Sequence, residues 1–475
     1  MNRYRKLFSD VGLFAISNFG SKLLIFLMVP LYTNVLTTYE YGIVDLINAT
    51  INVLFPILTL AIAEAALRFA LDKNYKNQDV LITSIFFVII SFIILLFCGR
   101  LVISLVEELS NYWHFFLVIY LLTAIDSCMS NFVRGIDKIK IFAIKGILYT
   151  AVFILLNIVF LIIFNAGLIG YLISIIISEV VTITFMCLSA SIGGFKIIDI
   201  RLKANLVRSM LAYSIPLIPT IVAWWVMQIS DKYIIIYYDG IAASGVYGIA
   251  YKIPTILSML TSIFTQAWQI SAIKSVSDGD HENFASQVYR YFTIISVIAC
   301  AGLIALSKML GTILYAKEYF IAWTYVPILL VAYLFSGLSG ILASLFSAQK
   351  KTNILFHSTL VGAGMKLLMN LVLIPKFGLI TAAYTTCVGF AITWAIRILS
   401  VKKIMNLKTN RVRDEIAFIL ILLEAIVMGA DLRIKYVIAV TTLILIVLIY
   451  FKELQILLIN IIVLLRKKKG ENIYL

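Results

Sequence analysis

Long apolar segments alternate with short polar connections along the whole chain. Each apolar segment is about 20 residues long, which is the length of helix that crosses a bilayer core of about 30 Å. We count about 14 such segments by this length rule, at 11–35, 42–67, 79–99, 112–133, 143–163, 168–190, 209–230, 243–268, 291–307, 321–345, 354–374, 379–399, 414–430 and 436–451. The pattern predicts an all-α integral membrane protein with about 14 transmembrane helices.

The two halves of the chain repeat each other. The stretch TYEYGIVDLINA, residues 38–49, follows the first apolar segment much as SGVYGIAYKIPT, residues 244–255, follows the seventh. A second similarity links Asn157 and GLIGY near segments five and six with Asn370 and GLITA near segments eleven and twelve. Repeats six segments apart keep one membrane orientation, so they predict two six-helix lobes related by a pseudo-two-fold axis along the membrane normal. We predict an N-lobe at 1–192, a cytoplasmic linker at 193–208, a C-lobe at 209–403, and two C-terminal helices with a basic tail at 404–475.

The composition is that of a membrane protein and excludes an ordinary soluble domain. Of the 475 residues, 62% are hydrophobic and 13% are charged, and the mean hydropathy is +1.03. Soluble domains are only about half apolar. The five cysteines stand singly without CxxC spacing and the three histidines form no cluster, so we expect no metal and no cofactor.

Basic residues are distributed unevenly between the connections. About 26 lysines and arginines flank one set of segment ends and about 6 flank the other. Because basic residues near helix ends resist translocation, this asymmetry predicts a cytoplasmic (inner) membrane protein with both termini in the cytoplasm. The net charge of +15 then follows from topology, and we expect no nucleic-acid partner.

Several sequence stretches carry a family resemblance that extends over nearly the whole chain. They are VPLYTNVLTTYEYGIVDL after the first segment, AEAALRF at the end of the second, and AYSIPLIP, ISDKYIII, GVYGIAYKI and LIPKFGLITAAY in the second half. A single stretch of this kind is not specific to one family. Their order and spacing resemble the polysaccharide flippases of the superfamily that also contains the multidrug MATE exporters.

This resemblance implies a transporter and not an enzyme. It implies two lobes that alternate between inward-open and outward-open states around a central cavity. The implied cargo is an oligosaccharide repeat unit on a polyprenyl diphosphate, with undecaprenyl as the expected lipid, which moves from the inner to the outer leaflet for surface polysaccharide synthesis. The implied partners are this lipid-linked oligosaccharide, membrane lipids, and a polysaccharide polymerase with other assembly proteins.

Ionisable side chains inside the apolar segments are the main site candidates. Such a residue costs about 2.5–3.5 kcal/mol at mid-bilayer, so it normally faces a bundle interior or a water-filled cavity. The set is basic on balance, which suits an anionic diphosphate that loses its hydration. The candidates are Lys22, Glu64, Arg68, Asp231, Lys232, Lys252 and Lys366.

Some of these charges have a plainer explanation. Lys22 lies about two to three turns inside its segment, and its long side chain can reach the cytoplasmic surface. Glu64 and Arg68 are four residues apart, so we expect an ion pair on one helix face, which is most often structural. Asp231 and Lys232 point about 100° apart on a helix, and a segment that ends beside them would place both in the outer headgroup region.

Two aromatic and two small residues complete the candidates. Trp224 and Trp225 could stack on sugar rings in the cavity, although a place in the interfacial aromatic belt is the commoner role. Gly42 and Gly248 recur in the Tyr-Gly-Ile motif of the two halves. They fit positions of close helix approach at the lobe ends, and the alternative is a glycine of a simple loop-to-helix junction.

Four other functions compete with flipping of a lipid-linked oligosaccharide. A cation-coupled multidrug exporter of the same fold is the nearest, and it would be expected to carry cavity acids where this chain has Lys22. A membrane polysaccharide polymerase is the enzymatic alternative, but it would be expected to have a sizeable extracytoplasmic loop, and every connection here is short. A flippase for a lipid-linked peptidoglycan precursor would share the mechanism, whereas a purely structural scaffold would not need the buried charges.

Overall fold

A computed structural model describes most of the chain. It covers residues 20, 23–72, 74–105, 107–190, 202–275, 281–349, 351–402, 405, 407, 411–430 and 434–456. Within these ranges the regular structure is entirely helical, without a β-strand, so the predicted all-α class is confirmed. Lys22 and the basic tail beyond residue 456 lie outside the described residues.

Sixteen α-helices account for most of the described residues. In chain order they are α1 Val29–Val35, α2 Thr38–Leu58, α3 Ile62–Ala70, α4 Asn77–Leu105, α5 Trp113–Gly135, α6 Ile139–Asn157, α7 Gly167–Ser189, α8 Ala204–Ser214, α9 Ile218–Ala250, α10 Lys252–Ser275, α11 His281–Leu314, α12 Val326–Ala348, α13 Thr352–Phe377, α14 Ile380–Val401, α15 Arg411–Gly429 and α16 Lys435–Ile449. Short 3-10 segments lie at Glu107–Tyr112, Ile215–Leu217 and Lys317–Thr324, and a π-helical segment, Ile158–Ile163, extends α6.

The membrane-spanning pattern agrees with the apolar segments of the sequence. Ten described helical stretches are long and apolar enough to cross a membrane. Two shorter apolar helices, Leu23–Val35 and Lys435–Ile449, occupy the first and fourteenth predicted segments. The helices α10 and α15 occupy the eighth and thirteenth predicted segments. The protein is therefore a multi-pass membrane protein.

The second predicted segment, 42–67, is not one continuous helix. It starts earlier, at Thr38, because Thr37 and Glu40 form a capping box in which each side chain bonds the other residue's backbone N–H. It then breaks after α2, where Leu60 and Ala61 adopt φ values of 54° and 53°. Left-handed residues of this kind end a helix and let its last carbonyls find new donors, as Pro56 O does with the Ala61 N–H at 2.7 Å.

The seventh predicted segment, 209–230, is displaced along the chain. A 3-10 turn containing Pro216 interrupts it, and α9 begins only at Ile218. From there α9 runs to Gly240, whose φ of 83° and ψ of 171° break the helix in a conformation that glycine adopts readily. The stretch before Gly240 is about 33 Å long at about 1.5 Å per residue, enough to cross a bilayer.

Two compact units divide the chain, and their border differs from the predicted lobe border. The first comprises Met1–Ile249 with Leu314–Tyr319, and the second comprises Ala250–Ile313 with Phe320–Leu475. Most of the linker predicted at 193–208 lies outside the described residues, and its end, from Ala204, is already part of α8. The lobe division drawn from the repeat stays a prediction.

The first unit has an apolar core between α3, α4, α5 and the end of α7. Ile62, Val88, Phe132 and Met186 are all completely buried in it. α5 also packs along α7, and α7 along α6. This arrangement buries Asp126 of α5, Thr150 of α6 and Glu179 of α7 inside the protein.

The second unit is held together around a buried arginine. Arg397 of α14 is 1% exposed. Its Nε donates to Ser358 Oγ at 2.9 Å, Nη1 to Ser339 O and Oγ at 3.0 and 2.9 Å, and Nη2 to Thr359 Oγ1 at 2.9 Å. These partners belong to α12 and α13 and are neutral, so a single guanidinium joins three helices through charge-assisted hydrogen bonds.

Replacing Arg397 by leucine is expected to destabilise the protein by about 1–3 kcal/mol, the range for groups that lose a buried hydrogen-bond partner. The loss is limited because Ser358 Oγ also donates to Leu355 O at 3.0 Å and keeps that bond. Thermal unfolding of the purified protein measures the change. The matched control is Arg208→Leu at an exposed position of α8, which should shift stability by less than about 0.5 kcal/mol; equal effects of the two variants would contradict the role of Arg397.

Candidate functional site

An ion pair joins two membrane helices of the first unit. Lys232 Nζ of α9 lies 2.6 Å from Asp45 Oδ2 of α2, and the two side chains are only 14% and 17% exposed. Lys232 lies roughly 12 Å before the break at Gly240 and roughly 21 Å after the start of α9, at about 1.5 Å per residue. Both charges therefore lie within α9, which continues past the predicted end at residue 230.

Asp231 is bonded to the other side of the break in α9. It is completely buried, its Oδ2 accepts from Tyr247 Oη at 3.1 Å, and its Oδ1 accepts from the Lys232 N–H at 3.2 Å. Tyr247, the first residue of the second Tyr-Gly-Ile motif, is also completely buried. The break at Gly240 thus brings the motif back to Asp231, and the neighbouring acid and base have different partners, as their 100° separation predicts.

Glycines allow α2 and the last turns of α9 to come together. A Cβ on Gly42 would lie 2.3 Å from Ile241 O, and one on Gly245 would lie 2.1 Å from Thr38 O. A Cβ on Gly248 would lie 2.6 Å from Asp45 Oδ2. Real Cβ atoms do not approach other atoms so closely. Gly42 and Gly245 face backbone atoms and require glycine in this packing, whereas a side chain at position 248 would displace the Asp45 carboxylate.

Aromatic side chains extend the same helix contact. Trp225 Nε1 of α9 donates to Ala49 O of α2 at 3.2 Å, and the hydroxyls of Tyr233 and Thr50 are 2.8 Å apart. The Trp225 and Tyr233 rings lie 5.5 Å apart between centroids. We name the contact formed by Asp45, Thr50, Trp225, Asp231, Lys232, Tyr233 and Tyr247, with the three glycines, the α2–α9 contact.

The connection between α1 and α2 is hydrogen-bonded to the short segment Leu314–Tyr319. Lys317 Nζ donates to Asn34 O at 2.6 Å, Tyr319 Oη to Thr37 O at 2.7 Å, and Thr33 Oγ1 to Leu314 O at 2.9 Å. Burial, together with neighbouring Tyr41 and acidic groups, raises the pKa of the Tyr319 phenol far above its usual value, so this hydroxyl stays a hydrogen-bond donor. Several bonds therefore fix the end of α2 that leads into the α2–α9 contact.

Comparison with known proteins identifies the family. A family of proteins described as "Polysaccharide biosynthesis protein" matches residues 7–269, more than half of the chain. The chain belongs to this family. The resemblance stated from the sequence motifs is thereby confirmed.

One curated relative is similar to part of this polysaccharide biosynthesis protein. An uncharacterized membrane protein of Methanocaldococcus jannaschii is 25% identical over 169 residues, which are 36% of this chain and 32% of that protein. The chain thus spans about a third of the length of this curated relative.

Solved structures show the same fold at low sequence identity. A lipid II flippase MurJ in an inward closed conformation has a TM-score of 0.69 at 16% identity, covering 94% of this chain and 99% of that protein. A multidrug resistance MATE family transporter in an inward-facing conformation has a TM-score of 0.67 at 13% identity, covering 80% and 94%.

Most of the predicted site residues of this polysaccharide biosynthesis protein fall into two groups, one in the α2–α9 contact and one in the second unit. Asp231, Lys232, Trp225, Gly42 and Gly248 all lie in the α2–α9 contact. Trp224 is next to it on α9 and half-buried. Lys252 and the completely buried Lys366 belong to the second unit.

The predicted pair of Glu64 and Arg68 does not form among the described residues. Both side chains are exposed on α3, and the ion pairs of the described residues do not include them. Glu64 instead interacts electrostatically with Arg134 of α5. The four-residue spacing predicted a shared helix face, but tertiary neighbours on α5 draw the carboxylate away.

Sequence reasoning missed five members of the α2–α9 contact, namely Asp45, Thr50, Tyr233, Gly245 and Tyr247. Asp45 follows the first Tyr-Gly-Ile motif by two residues and has no basic residue within a turn on its own helix. An acid in that situation inside a span must find its partner on another helix, but the sequence alone does not say which of the intramembrane bases it meets. Tyr247 is the tyrosine of the second motif, so the repeat itself pointed to it.

Proposed function

We propose that this protein is a flippase that moves a polyprenyl-diphosphate-linked oligosaccharide repeat unit from the inner to the outer leaflet of the cytoplasmic membrane. It would act by alternating access, without enzymatic chemistry, in the synthesis of a surface polysaccharide. Membership in a polysaccharide biosynthesis family supports the substrate class. The observation that carries the mechanism is the Asp45–Lys232 ion pair inside the membrane, at a helix contact built from glycines.

A buried ion pair of this kind suits a contact that opens and closes. Its Coulomb attraction is offset by the desolvation of both charges, so the pair adds little net stability while it is intact. Breaking it leaves two charges in a span, which is tolerable only if water or an anionic cargo takes the place of the lost partner. When α2 and α9 separate, Lys232 would be free to meet the diphosphate.

The direction of transport follows from charge. The membrane potential favours the outward movement of an anion by about 2.3 kcal/mol per charge per 100 mV. A head group with about two negative charges would gain roughly 4–5 kcal/mol at that potential. In the proposed orientation both termini lie in the cytoplasm, and the partners are the lipid-linked oligosaccharide, membrane lipids and the polymerase that uses the flipped product.

Deletion of the gene in its host tests the proposal. We expect the lipid-linked oligosaccharide to collect on the cytoplasmic face, where an impermeant probe added to intact spheroplasts does not reach it, and the surface polysaccharide to be lost. Complementation should restore the outward-facing pool with the wild-type gene, and with the exposed-site control Lys140→Ala on α6.

Other results of the deletion would identify the competing functions. Normal sidedness and normal polymer, with increased sensitivity to cationic drugs, would replace the proposal by the multidrug exporter. A defect restricted to cell-wall precursor would point to a peptidoglycan-precursor flippase. Unchanged sidedness with unpolymerised repeat units on the outer face would point to a polymerase.

A further inference from the structure

A second buried charge cluster lies inside the first unit and shares no residue with the α2–α9 contact. Lys145 Nζ of α6 is 2.5 Å from Asp126 Oδ2 of α5, and the two side chains are 14% and 13% exposed. Glu179 of α7 is 8% exposed and interacts electrostatically with both Asp126 and Lys145. Three neighbouring helices therefore contribute two acids and one base to one buried place.

The two acids are incompletely bonded. Asp126 Oδ2 also accepts from Ser130 Oγ at 3.5 Å, but Asp126 Oδ1 and Glu179 Oε2 are buried and have no hydrogen-bond partner among the described residues. Unbonded buried carboxylate oxygens are costly, and the cost is far greater if the group is charged. The cluster therefore has two carboxyl groups, and its one lysine can neutralise only one of them.

Charge balance fixes the protonation state of the cluster. With all three groups ionised, the cluster would carry a net negative charge inside protein, where an uncompensated charge is strongly disfavoured. Lys145 contacts Asp126 directly, so Asp126 is the acid that it neutralises. Glu179 is buried beside this pair with an unbonded carboxylate oxygen, and one proton on Glu179 makes the cluster neutral.

Among the described residues, other ionisable groups near the cluster do not supply a second base. Tyr149 of α6 interacts with Glu179 and Asp126, and Lys145 Nζ lies 5.8 Å from the centroid of its ring. Cys128 of α5 is near Asp126. The π-helical segment beside α7 has only apolar side chains.

Charged groups on the remaining helices packed around the cluster have contacts elsewhere or are exposed. They are Glu40, which accepts from the Leu168 N–H, Asp45 with Lys232, Asp79 with Lys203, and the exposed Glu64 and Arg68.

We propose that Asp126, Lys145 and Glu179 form a proton-binding site, in which Lys145 neutralises Asp126 and Glu179 carries one exchangeable proton. Release transfers the proton from the Glu179 carboxyl to water and leaves a carboxylate. Because α5, α6 and α7 each contribute one group, any change in their packing alters the proton affinity. The site requires no cargo to bind its proton, so it goes beyond the proposed function and can be tested apart from it.

Infrared difference spectroscopy of the full-length protein in lipid vesicles, titrated with pH, tests the proposal. We expect the wild type to show a protonated-carboxyl C=O band at neutral pH that disappears at alkaline pH, and Glu179→Gln to lack that component. Asp126→Asn should also lack it at neutral pH, because Lys145 then neutralises Glu179. Glu424→Gln is the matched control, since Glu424 is a buried acid of the second unit with both oxygens unbonded, and the component should persist in it.

The Lys145→Met variant distinguishes the proposal from misfolding by whether the protonated-carboxyl band grows or shrinks. Without the lysine both acids need a proton, so the band at neutral pH should grow, whereas a misfolded protein with hydrated acids would lose it. A band that is unchanged in Glu179→Gln, or that fails to grow in Lys145→Met, would overturn the proposal. Loss of the wild-type band when sodium replaces choline at constant ionic strength and pH would also overturn it, in favour of a sodium site.

Discussion

Lys232→Ala is expected to lower the rate of lipid-linked oligosaccharide transport at least about tenfold, which corresponds to about 1.4 kcal/mol. The variant leaves Asp45 inside the membrane without its counter-charge, and removing one partner of a buried pair can cost about 3–5 kcal/mol. That figure is an upper limit because Asp45 is 17% exposed, so water can solvate part of its charge. The state in which α2 and α9 are in contact therefore becomes less populated. The transport cycle slows because it must pass through this state.

The charge-exchanged double variant Asp45→Lys/Lys232→Asp separates the two roles of Lys232. If the lysine acts by closing the α2–α9 contact, the reversed pair can form again and should restore most of the rate. If Lys232 served only as a cargo ligand, the double variant would be as inactive as Lys232→Ala. The single Asp45→Asn variant should also be impaired, and the exposed-site control Lys140→Ala should transport normally.

Gly245→Ala is expected to have the second large effect, on both folding and transport. The new Cβ would lie 2.1 Å from Thr38 O and 2.9 Å from Gly42 N, and both atoms are backbone. Overpacking of this kind costs about 1–3 kcal/mol when neighbours can shift, and backbone shifts less easily than a side chain. The midpoint of thermal unfolding and the transport rate should both fall.

Gly302→Ala of α11 is the matched control for this substitution. Its Cβ would meet nothing within 4 Å, so the change should be neutral or should stabilise the helix by up to about 1 kcal/mol. If Gly245→Ala behaved like Gly302→Ala, the close approach of α2 and α9 would be contradicted.

The sequence predicted the membrane fold because burial in lipid leaves a strong and simple pattern. Backbone groups in a bilayer must bond within a helix, so every span is a long apolar run that can be counted. The same pattern cannot locate breaks inside an apolar run. Leu60 and Ala61 are ordinary apolar residues that adopt left-handed conformations, and the apolar run around Pro216 continues through the start of α9.

Only some of the site residues could be predicted from the sequence, for a related reason. Asp231, Lys232 and the motif glycines were visible because charges and repeated glycines are rare in spans. Their partners are set by tertiary packing: Asp45 and Lys232 are far apart in the chain, and Arg397 looks like an ordinary basic residue near a helix end. The Glu64–Arg68 prediction failed because spacing on one helix says nothing about a competing neighbour on another.

Transport in a purified system tests the central claim most directly. The protein would be reconstituted in vesicles loaded with polyprenyl-diphosphate-linked oligosaccharide extracted from its host, and the fraction of cargo that an impermeant probe reaches would be followed in time. We expect wild-type protein to expose the protected half of the cargo far faster than protein-free vesicles do, and Lys232→Ala to slow this at least about tenfold. Equal rates with and without wild-type protein would contradict the account.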